Sequence, residues 1–191
     1  TPMPAWALRR EAAALLGYVC VAVVFAWPLP LRLADALLGL PDGDAGVYVW
    51  NLWVFRHEII ANHHLPFLTS EILALNPSVP LALHNYTTFA NLLAFPLLPL
   101  FGVVKTFNVL VLASGVLSGY AMYLYARART GDAGAAWVGG LAFGFCPLMS
   151  ERAAEHFSLT LAAPLPIFGW LMFRLYSQPS AGLACAAGAT V

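Results

Sequence analysis

Long stretches without a single charge recur along this chain, and no other feature restricts its folding so strongly. Residues 12–31, 85–104, 106–126, 133–150, 157–173 and 175–191 contain no Asp, Glu, Lys or Arg. Each is close to the ~20 residues a helix needs to cross the hydrocarbon core of a bilayer. In lipid, backbone N–H and C=O groups must pair within the segment, so runs of this length read as helices. A water-soluble domain would struggle to cover its surface with 9% charged residues, against about 25% in ordinary domains. Nine basic and nine acidic residues cancel, which removes the electrostatic case for nucleic-acid binding. Cys20, Cys146 and Cys185 lie within apolar stretches without CxxC or Cys/His spacing, so they read as small buried hydrophobes.

The runs cannot all cross independently, because only Lys105 separates 85–104 from 106–126. The order that obeys the positive-inside rule places Arg9, Arg10, Arg127, Arg129 and Arg174 in the cytoplasm, and Arg32, Arg56, Lys105 and Arg152 outside. It predicts an all-α, polytopic membrane helix bundle. Its helices cover about 12–33, 106–126, 134–149, 157–175 and 180–191, the last cut short, so the chain reads as the first part of a longer protein. The N-terminus is expected in the cytoplasm. A long external segment, about 34–105, holds membrane-parallel helices. Trp27, Trp137 and Tyr176 fall near span ends, where aromatic belts form. Gly131 to Ala136 reads as a tight turn, and Cys146-Pro147 as a helix stop or kink. Ser114, Gly115, Ser118 and Gly119 predict close helix packing.

Most acids and four of the five histidines lie in the external segment. After the turn at Pro41-Asp42-Gly43, residues 45–62 have helical character. Asp44, Tyr48, Asn51, Glu58 and Asn62 form a polar stripe, with Trp50, Trp53, Val54 and Ile60 as apolar surface beside it. The stripe faces either water or a cavity. For Asp42 and Asp44 two roles are compatible: Asp42 caps the helix while Asp44 favours its positive end, or an acid serves as general base or metal ligand beside a lipid phosphate. A second polar cluster, Glu151, Arg152, Glu155 and His156, lies on the same outer side. It is either a solvated loop or the opposite wall of a site. His57, His63 and His64 lack HxxxH or HExxH spacing and read as an interfacial helix end rather than a metal centre. His84 is open to either reading, and Lys105 reads as a snorkelling side chain.

With these residues in view, the chain resembles the first part of a bacterial GT-C superfamily glycosyltransferase. The resemblance rests on Gly43-Asp44 after the first span, VYVWNLWVF at 47–55, LPFLTSEILALNPSVPLALHN at 65–85, FPLLPLFGVVKTFNVLVLASGVLSGYAMYLYARARTG at 95–131 and GGLAFGFCPLMSERAAEHFSLT at 139–160. It implies a polyprenyl-phosphate sugar donor, a glycan or protein acceptor, and transfer at the outer face of the bacterial inner membrane. Asp44 matches the acidic residue of the first external loop, commonly catalytic. Asp42, Tyr48, Asn51, Arg56, His84, Lys105, Arg152, Glu155 and His156 are the substrate-binding candidates. A divalent metal stays open. The implied chemistry has Asp44 deprotonating or orienting the acceptor hydroxyl while the lipid phosphate leaves the anomeric carbon. A carboxylate of ordinary pKa, about 4, is ionised for that task at neutral pH. No GxxxxGK phosphate loop is present, which suits a lipid-linked donor.

Two other classes compete. A transporter or flippase would carry ionisable groups near the midplane, yet the predicted span interiors are free of charge. A non-catalytic membrane assembly subunit is the third reading.

Overall fold

A computed structural model describes residues 5–40, 42–72 and 78–190. The turn residue Pro41, residues 73–77 of the motif at 65–85, and the terminal Val191 lie outside them. The chain is 71% helical with 2% strand. In order, the helices are α1 (Ala5–Phe25), α2 (Ala45–Ile60), α3 (Thr88–Ala94), α4 (Leu98–Thr130), α5 (Ala133–Gly144), α6 (Pro147–Glu155), α7 (Pro164–Ser177) and α8 (Ala181–Gly188). One antiparallel pair joins β1 (Leu68–Thr69) to β2 (Val79–Pro80), with Leu68 opposite Pro80 and Thr69 opposite Val79.

Among the described residues, two helical segments are long and apolar enough to cross a membrane, Leu98–Thr130 and Phe157–Ser177. A third qualifies if α5 and the start of α6, bent by 43° at the Cys146-Pro147 break, cross together. α1 differs from the expected span at 12–33. It starts earlier, takes Arg9, Arg10 and Glu11 into its first turns, and ends at Phe25 ahead of Pro28. Its charge-free part is about 21 Å long at 1.5 Å per residue, short of a ~30 Å core. The run at 85–104 is not one helix either. It holds α3, a break around Pro96, and the start of α4, where Gly102 takes φ 72° and interrupts the helix.

The chain divides into two compact units. The first comprises Thr1–Trp27, Leu112–Arg152 and Leu159–Val191. Its core gathers Ala14, Tyr18 and Ala22 of α1, Val116 and Tyr123 of α4, Ala136 of α5, and Phe145. Tyr18 stacks on Trp137 at 5.4 Å and donates its hydroxyl hydrogen to the Trp137 carbonyl at 2.9 Å. Trp137 is therefore held by packing and hydrogen bonding within this unit. Glycines allow α4 and α5 to touch: a Cβ on Gly144 would lie 2.6 Å from the Gly115 carbonyl, and one on Gly140 2.4 Å from that of Gly119. The small-residue pattern in α4 thus has the close-packing role its spacing predicts. At one end of this unit, Glu11 pairs with Arg127 and accepts from the Tyr120 hydroxyl at 3.1 Å.

The second unit comprises Pro28–Val111 and Ala153–Ser158. Tyr48, Leu52, Val54 and Phe55 of α2 are buried with Leu81, Ala90, Ala94, Leu98, Phe107 and Phe157. Phe107 stacks on Tyr48 at 6.2 Å, and Phe157 meets Tyr48 edge-on at 5.7 Å. Asn108 holds the chain after the first helix by donating to the carbonyls of Leu33 and Ala36 at 2.8 and 2.7 Å.

Candidate functional site

The polar stripe of α2 faces inward. Tyr48, Asn51 and Glu58 are buried, each less than 3% exposed. Asn85 Nδ2 donates to the Tyr48 hydroxyl at 2.7 Å, Ser158 Oγ lies 3.3 Å from that hydroxyl, and Asn51 Nδ2 donates to the Asn85 carbonyl at 2.7 Å. Glu58 accepts from Thr69 Oγ1 at 2.7 Å and from Asn62 Nδ2 at 3.0 Å, tying β1 to the helix end. A polar side chain out of water needs such partners. Tyr48 and Asn51 therefore hold the loop around Asn85 in place, and of the two directions open to the stripe it takes the one away from water. Just after that loop, burial raises the titration of the half-buried Tyr86 hydroxyl, keeping it a neutral phenol.

At the start of α2 the N-cap residue is Asp44, not Asp42, which is exposed two positions upstream. The Asp44 carbonyl accepts from Val47 and Tyr48 N–H at 2.9 and 3.2 Å. Its side chain makes no capping bond. The backbone explains this: φ −71° and ψ −7° are helical, whereas a capping side chain ordinarily springs from an extended residue. Asp44 is half-buried, and its carboxylate remains at the positive end of the helix without being consumed by first-turn amides. Glu155 comes to the same place. A Cβ on Gly43 would meet Glu155 Oε2 at 2.7 Å and Oε1 at 2.9 Å, so the absence of a side chain at 43 lets this carboxylate lie against the backbone next to Asp44.

Arg56 is exposed three turns farther along α2, about 18 Å by helix rise. Lys105 is half-buried with Nζ 4.9 Å from the Phe101 ring centroid. Arg152 and His156 are half-buried and engaged in interactions of their own. Among the described residues no group of three or more His, Cys, Asp or Glu side chains is arranged to hold a metal ion.

Two clefts flank the start of α2. One, of about 460 Å³, opens between the loop at 34–40, Gly43, Gly46 and Val104, with Asp35 on its wall. Arg32 donates two hydrogen bonds to Asp35, and this pairing lowers the carboxyl titration. The other, of about 430 Å³, is lined by Gly46, Val47, Trp50, Glu71, Ile72 and His84. Asp44 is in neither lining, although Gly46, two residues on, borders both. Trp50 and Glu71 were not among the sequence candidates. The helical spacing of Gly46, Trp50, Trp53 and His57 was the available signal, read instead as apolar surface.

No family profile, curated protein or solved structure matches the chain.

Proposed function

We propose that the chain belongs to a polytopic membrane glycosyltransferase of the GT-C kind. In this reading it moves a sugar from a polyprenyl-phosphate donor to an acceptor hydroxyl at the outer boundary of a bacterial inner membrane. In this reading the uncharged residues 12–31, α1 together with the turn that follows it, cross outward from a cytoplasmic N-terminus, and the segment at about 34–105 lies along the outer surface. Asp44 is the base, and Glu155 stands beside it as the second acid.

One observation carries the proposal. Asp44 occupies the N-cap of a 16-residue helix yet leaves the cap unmade, while Glu155 from a distant part of the sequence lies against its neighbour Gly43. An ionised carboxylate that does not bond the backbone retains its lone pairs for a substrate proton. Two acids at one place are also what a reaction needs when it both removes a proton and stabilises a cation-like sugar centre.

The test is transfer from a polyprenyl-phosphate sugar by the full-length protein in nanodiscs, with Asp44→Asn compared to wild type. Asparagine keeps the shape and loses the base. The expected result is a loss of at least about a hundredfold in turnover with an unchanged melting temperature. Transfer at the wild-type rate by Asp44→Asn removes Asp44 from the chemistry.

A further inference from the structure

The outward face of α2 carries the residues that the buried stripe leaves over. Gly46, Trp50, Trp53 and His57 follow one another at four-, three- and four-residue steps and so share a face. Trp53 lies parallel to the His57 ring at 4.8 Å. His57 Nε2 is 3.6 Å from Glu71 Oε1. Trp50 meets the His84 ring edge-on at 5.3 Å. His84 Nε2 is shut away from solvent with no hydrogen-bond partner among the described residues. Glu71, His84 and Trp50 line the cleft of about 430 Å³ together with Gly46, where an added Cβ would meet nothing within 4 Å.

The chemistry of these walls selects among ligands. An acyl chain would take the Glu71 carboxylate out of water with His57 Nε2 at 3.6 Å, beyond hydrogen-bond reach. An anion would face that carboxylate. A quaternary ammonium suits tryptophan faces, but the His57 ring already covers Trp53 and stands 3.6 Å from Glu71. A pyranose ring fits all three walls. Its C–H face covers an indole, its hydroxyls donate to a carboxylate, and its edge borders the His84 ring.

We propose that this cleft binds a neutral saccharide, with the ring over Trp50, hydroxyl hydrogens directed to Glu71 and one edge against the His84 ring. Its role as the seat of the acceptor, beginning two residues from Asp44, rests on the transferase reading; saccharide binding itself does not.

The experiment exposes the full-length protein in nanodiscs to a panel of immobilised neutral oligosaccharides, and measures transfer by the same preparation in parallel. Capture of at least one panel member is expected. Trp50→Ala and Glu71→Gln should each weaken it about tenfold, Trp50→Phe should restore most of the loss, and soluble phosphocholine should not compete. No capture across the panel, capture indifferent to both substitutions, or displacement by phosphocholine overturns the proposal. Capture without transfer from any polyprenyl-phosphate sugar retains the cleft and removes the transferase reading. Transfer without capture does the reverse.

Discussion

The tetrapeptide Gly-Asp-Ala-Gly occurs twice in this chain, at 43–46 and at 131–134, and each copy opens a helix. The two aspartates behave differently. Asp132, at φ −96° and ψ 119°, is extended, and its Oδ1 accepts from Gly134 and Ala135 N–H at 2.7 and 3.2 Å. Asp44 is helical and accepts neither corresponding amide on its side chain. The glycines record the same difference. A Cβ on Gly134 would touch Asp132 Oδ1 at 3.4 Å, while one on Gly46 would meet nothing within 4 Å. Identical local sequence therefore does not decide whether the acid caps. The residue before it does much of the work: Gly131 turns the chain at φ 73° as α4 ends, whereas Gly43 lies beneath Glu155 with its N–H donating to the Leu40 carbonyl at 3.0 Å. One aspartate side chain caps its helix, and the other leaves its helix uncapped.

The largest effect expected from this contrast is in activity. Asp44→Asn should lose at least about a hundredfold in turnover, some 2.7 kcal/mol of transition-state stabilisation, with little change in thermal stability. Asp132→Asn should change neither, since asparagine caps as well as aspartate. Equal effects of the two substitutions on turnover would break the comparison.

A second acid that is fully engaged gives the next largest effect, on stability. Glu11 pairs with Arg127 and accepts from Tyr120, and the pair is only partly exposed, 15% at Glu11 and 33% at Arg127. Glu11→Ala should cost about 2 kcal/mol, less than a wholly buried pair because water reaches Arg127. Chemical denaturation of the protein in mixed micelles measures it. Asp132→Ala, which removes a cap, should cost about 1 kcal/mol in the same assay, with transfer unaffected.

Which parts of this arrangement were legible in the sequence follows from the range of the interactions involved. The small residues at 114–119 and the Cys146-Pro147 break are local signals, and the structure carries both as α4–α5 packing and a 43° bend. The period of the polar stripe in α2 was also local, but its direction was not. Whether Tyr48 and Asn51 meet water or protein depends on Asn85 and Ser158, far along the chain. Glu11 was invisible for the same reason, because its partner Arg127 lies 116 residues away. The stack of Trp137 on Tyr18 was invisible too, because the two lie 119 residues apart. Asp42 and Asp44 bracket one glycine, so the cap could not be assigned without the backbone angles. The Asp44 position itself was legible, while the approach of Glu155 to Gly43 was not.

Gly43→Ala should have a smaller effect. The backbone of Gly43 is not among the positive-φ glycines, and the atoms an added methyl meets belong to the flexible end of Glu155. The fold should survive with a loss of less than about 1 kcal/mol, while the carboxylate moves away from Asp44. Turnover should fall several-fold with KM little altered if Glu155 acts beside Asp44. A melting loss as large as that of Glu11→Ala would instead make the Gly43–Glu155 contact structural.

The smallest effect concerns an aspartate engaged by a side chain instead of the backbone. Asp35 is exposed and held by Arg32, with Nη2 2.7 Å from Oδ2, and the hydrogen bond lowers its titration in the folded state. A carboxyl whose folded pKa lies below its unfolded one stabilises the fold above the ordinary carboxylate value of about 4. That contribution disappears as the pH falls through the lowered folded value, when both states are protonated. For an exposed pair it is slight, so the titration is the better observable than the stability. Carboxyl carbon chemical shifts of labelled aspartate should place Asp35 below the ordinary value in wild type, and Arg32→Gln should return it there. Asp44 should not respond to Arg32→Gln, because Arg32 engages Asp35 and not the helix cap. A shift of Asp44 in that variant would show that its carboxylate is held after all, by the loop on the wall of the first cleft.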